Sequence, residues 1–67
     1  MTTESAGKVA QVIMRQNQKA GVFEVNFADL DTCRFMADAF RQLGCEAEVV
    51  DENWCLVRVT LPRQATA

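Results

Sequence analysis

Three cysteines, two closely spaced glutamates and one tryptophan are the side chains with most chemistry to offer in this chain. Cys33, Cys45 and Cys55 are separated by 12 and 10 positions, with no C-x-x-C pair to open a zinc or redox motif. Three thiolates and a carboxylate could in principle hold a metal. Free cysteine is nevertheless among the most buried residue types, so three small core residues in a reducing cytosol are the simpler reading. An odd count also argues against a disulfide scaffold. Glu46 and Glu48 share one face of an extended segment about 7 Å apart, a separation compatible with a carboxylate pair. On a small domain such a pair is more often surface charge. The chain contains neither His nor Tyr, which removes the commonest general base, the commonest zinc nitrogen ligand and the phenol acid. No glycine-rich phosphate loop or nucleophile elbow occurs. The sequence points away from an enzyme and calls for no cofactor and no metal.

The elements that position these groups must be few, because 67 residues make one small domain, 1–67, near the lower limit for independent folding. With 49% hydrophobic residues, one Pro and three Gly, the composition is that of an ordered chain. Between about Asp29 and Leu43, Cys33, Met36, Ala37, Phe40 and Leu43 recur at helical spacing, with Phe35 and Ala39 widening the stripe. Asp29 or Asp31 can cap this helix, and Gly44 can end it in a left-handed conformation. Beyond Gly44 the period falls to two. Cys45, Ala47 and Val49 alternate with Glu46, Glu48 and Val50, and Cys55, Val57, Val59 and Leu61 alternate with Trp54, Leu56, Arg58 and Thr60, a β-hairpin that Pro62 stops. Phe23, Val25 and Phe27 define a strand before the helix. Residues 1–6 and 63–67, polar or small, read as frayed.

The first twenty residues fit two patterns. β-branched Val9, Val12 and Ile13 favour a strand from Lys8 to Arg15, paired with Val22 to Phe27. The resulting expectation is an α+β fold of order ββαββ, one helix on one face of a four-stranded, largely antiparallel sheet with a right-handed crossover between its second and third strands. The alternative is αβαββ, with residues 6–20 helical, capped by Ser5 and ended by Gly21.

A single helix covers one face of such a sheet. If Phe23, Val25, Phe27, Ala47, Val49, Val57, Val59 and Leu61 face it, then Val22, Val50, Trp54 and Leu56 face away, beside Glu24, Asn26, Glu46, Glu48, Arg58 and Thr60. An apolar patch rimmed by charge, with a tryptophan in it, is the usual mark of a contact surface. The bland alternative has Trp54 folded over its own strand pair. Charge falls in blocks. Residues 1–23 carry Glu4 against Lys8, Arg15 and Lys19; residues 24–52 carry eight acids against Arg34 and Arg41; and the net charge is -2. An acidic middle suits docking to a basic protein surface.

The leading expectation is a non-enzymatic protein-binding regulator or inhibitor. Trp54, Leu56, Val50 and Val22 would be its contact group, and Glu46, Glu48, Asp51 and Glu52 its charged rim. A second reading, a nucleic-acid-associated protein, would use Arg15, Lys19 and Arg58, few cations for such a task. A third is a structural homodimer, formed through the open face or an edge strand. The longest apolar run, Val12-Ile13-Met14, is far short of a membrane span, and no basic leader precedes it. A cytoplasmic protein is expected.

Overall fold

The structure, a computed structural model, describes residues 2–62. Its elements run α1(Thr3–Gln16), β1(Val22–Asn26), α2(Leu30–Gln42), β2(Glu46–Asp51) and β3(Leu56–Thr60). The fold is α+β with two helices and a three-stranded sheet, and this corrects the expected ββαββ order with four strands. The first segment is a helix. Thr2 caps it by accepting from the Ser5 amide at 3.1 Å, and Glu4 and Arg15 complement the dipole at its two ends. Asn17 closes it by donating its side-chain amide to the Ile13 carbonyl at 2.8 Å. Residues 2–6 thus cap and open a helix where a frayed end was expected, and residues 63–67 lie outside the described residues.

The β-branched residues that suggested a strand are not what α1 buries. Ala6 and Ala10 are fully buried, while Val9 and Val12 are 40% and 52% exposed. Short alanine side chains let α1 lie close against α2, and that tertiary contact outweighs the local β-preference of two surface valines.

β3 is the central strand, in the order β1-β3-β2, and both neighbours run antiparallel to it. β1 and β2 are therefore parallel to each other, joined through α2 and separated by β3, which is a split β-α-β arrangement. Asp29 caps α2 by accepting from the Thr32 amide at 2.7 Å. At the other end Gly44, at φ 92°, takes the left-handed position. The Gly44 and Cys45 amides return to the carbonyls of Arg41 and Phe40, the paired bonds of a Schellman cap, each 3.0 Å.

The inward residues of the sheet and both helices share one core. Phe40, Met36, Val57, Val59 and Cys33 are its largest fully buried side chains, and Phe23 meets Phe40 edge to face at 6.0 Å. Val25, Phe27, Val49 and Leu61 complete it half-buried. Phe35 was expected to widen this stripe but is 38% exposed. The smallest extent of the Cα trace is 16 Å, room for one helix layer on one sheet layer. Both helices thus lie on the same side, and the other face of the sheet is uncovered.

Candidate functional site

The uncovered face is made by the alternate residues of each strand, and the register fixes its rows. Val22, Thr60 and Glu46 form one row; Glu24, Arg58 and Glu48 the next; Asn26, Leu56 and Asp51 the last. A bulge shifts the register between Val49 and Asp51, which leaves Val50 as the extra residue on β2 beside Leu56. This placement splits the expected apolar group. Val50, Leu56 and Trp54 come together at the hairpin end, while Val22 stands at the opposite end, beyond the charged middle row. A group assembled by alternation alone misses this separation, because alternation assigns a face and not a position along it.

Arg58 occupies the centre of the middle row and donates from both Nε and a terminal nitrogen to one Glu24 carboxylate oxygen, at 3.3 and 3.1 Å. The pair is about half exposed and of modest energetic worth, yet it sets a carboxylate against the one cation that the described residues place on this face. Arg15, at the end of α1, and Lys19, in the loop after it, lie on other segments.

Trp54 lies in the turn between β2 and β3 and is 71% exposed, so it does not fold over its own strand pair. Its backbone is held on both sides. The Asp51 carboxylate accepts from the amides of Asn53 and Trp54 at 3.0 and 3.3 Å, and the Asn26 side chain donates to the Trp54 carbonyl at 3.2 Å. Cys55 follows at φ 49°, a left-handed position that turns the chain back into β3. Asp51 is thus a turn-forming residue as well as an acid of the rim. Glu52 reaches Arg34 of α2 at 4.0 Å, both side chains largely exposed. Glu46 and Glu48 are exposed on β2 and have no ion-pair partner among the described residues. They border a shallow depression of about 210 Å³, completed by Ala47, Arg58 and Thr60.

Cys33 and Cys45 are core residues, 0% and 5% exposed, and burial pushes both thiols up from the usual range. Cys45 lies 3.7 Å from the Met14 sulfur. Among the described residues no three of Cys, Asp and Glu gather in a way that could hold a metal ion. None of the helices described is long and apolar enough to cross a membrane.

The fold and the face together define a class, a two-layer α+β domain with a split β-α-β unit and one exposed sheet face. No protein-family model matches the chain, no curated protein does, and no solved structure does.

Proposed function

We propose that this chain is a non-enzymatic protein-binding module that docks through the hairpin end of its uncovered sheet face onto a partner with a basic surface. The observation that carries the reading is Trp54, 71% exposed on a turn tied down by Asp51 and Asn26. A large aromatic on a fixed backbone loses little conformational freedom when it is covered, which is why such residues anchor interfaces. Val50 and Leu56 extend the apolar contact, Glu48 adds negative charge in the neighbouring row, and Glu46 continues it toward the far end of β2, neither with an ion-pair partner among the described residues.

The test is capture of partners from an extract of the native host by the wild-type chain and by Trp54→Ala, with bound proteins identified by mass spectrometry. Truncating a side chain this exposed should shift stability by no more than about 0.5 kcal/mol. The expected outcome is a folded variant that has lost the partner. A double Glu46→Lys, Glu48→Lys variant should lose it also, and retention of the partner by folded Trp54→Ala would refute the anchor.

A further inference from the structure

Both outer strands of the sheet are edges, but they are not equivalent. The Leu61 amide donates to the Gly21 carbonyl and the Phe27 amide to the Cys55 carbonyl, so on β1 and its flanks the odd-numbered residues bond inward to β3. By antiparallel alternation, Val22, Glu24 and Asn26 turn their N–H and C=O groups outward. On β2 the same alternation turns Ala47 outward, and there the Arg41 side chain donates to the Ala47 carbonyl at 2.9 Å. The β2 edge is further broken by its bulge and lined by Glu46 and Glu48. A guarded, bulged and charged edge resists strand addition. No described group bonds the outward backbone of Val22, Glu24 or Asn26.

We propose that the β1 edge pairs antiparallel with the β1 edge of a second copy of this chain, giving a continuous six-stranded sheet. Charge fits a second copy to the β1 edge and not to the β2 edge. Copies meeting along β2 would oppose Glu46 and Glu48, which have no ion-pair partner among the described residues, whereas the one carboxylate of β1, Glu24, is already held by Arg58 at 3.1 Å. Shape agrees. α2 packs over β2 and β3, so Val25 and Phe27 on the inner side of β1 remain half-buried, and a second copy would cover them with its own. A two-fold axis perpendicular to the sheet keeps both helix layers on one side and matches outward even-numbered residues to outward even-numbered residues. A domain of this size has a small core, and the added strand pairing supplies stability that the core alone provides sparingly.

Sedimentation velocity from low micromolar to several hundred micromolar, with amide hydrogen exchange over the same range, tests the proposal. The wild-type chain is expected to dimerise, with the Val22, Glu24 and Asn26 amides gaining protection as the dimer forms. Glu24→Pro removes the outward donor together with the Arg58 contact and should yield a folded monomer, because proline is tolerated where an edge N–H faces solvent. Glu24→Ala keeps the N–H while losing the Arg58 contact, and should remain dimeric. If Glu24→Pro fails to fold, the exchange pattern of the wild-type dimer decides. A wild-type monomer throughout would overturn the proposal. So would a dimer whose β1 amides exchange freely, or a dimer that survives Glu24→Pro. Disruption by Trp54→Ala with unprotected β1 amides would instead place the contact on the sheet face.

Discussion

Arg41 on α2 donates from Nε to the carbonyl of Ala47 at 2.9 Å, so a helix side chain occupies the outward acceptor of the β2 edge. The Schellman turn at Gly44 makes this possible, since it returns the chain sharply and brings β2 beside the last turn of the helix it has just left.

Replacing Arg41 with Ala should therefore have two effects. Loss of one hydrogen bond costs about 0.5–1.5 kcal/mol, measurable by urea unfolding. The uncovered edge should also self-associate more readily, raising light scattering at high concentration. Unchanged stability and scattering would show that Arg41 guards nothing.

The glycines of the two helices should respond in opposite directions. Gly7 lies inside α1, and a Cβ added there meets nothing within 4 Å. Gly7→Ala should stabilise by about 0.5–1 kcal/mol through helix propensity and reduced freedom of the unfolded chain. Gly44 sits at φ 92°, where an added Cβ is strained whatever the space. Gly44→Ala should destabilise by about 1–2 kcal/mol. Thermal unfolding of both variants against wild type measures the two shifts.

Asp29 gives the fold an acid dependence. Its hydrogen bond from the Thr32 amide holds its carboxyl below the usual aspartate value of 3.8. A carboxyl depressed in the native state stabilises it fully above the unfolded pKa and loses that contribution as pH falls through the lower, folded value. Asparagine caps a helix as well as aspartate but does not titrate. Asp29→Asn should match wild type near neutrality and lose less stability between neutral pH and pH values below the folded pKa. Coincident acid-unfolding curves would remove Asp29 as the cause.

The three thiols should separate by burial. Cys33 and Cys45 are enclosed and their thiols pushed up, while Cys55 is half-buried in the turn. Iodoacetamide under native conditions should label Cys55 first, with the other two reacting only on unfolding. Peptide mass mapping after a brief pulse checks the order.

What the sequence determined by itself is the set of elements whose pattern and punctuation agree. The α2 stripe of Cys33, Met36, Ala37 and Phe40, the Asp29 cap, the Gly44 stop and the two-residue alternation of the hairpin all follow from local spacing, and so does the assignment of Glu46, Glu48, Leu56 and Arg58 to the face turned away from the helices. Tertiary structure decided the rest. Residues 3–16 fit a strand or a helix on local pattern, and packing of Ala6 and Ala10 against the neighbouring helix, together with the caps at both ends, decides for the helix. Register likewise belongs to the sheet as a whole. It parts Val22 from Val50 and Leu56, pairs Arg58 with Glu24, and turns Ala47 toward Arg41, none of which a strand read alone can specify, because which residues meet depends on how neighbouring strands align.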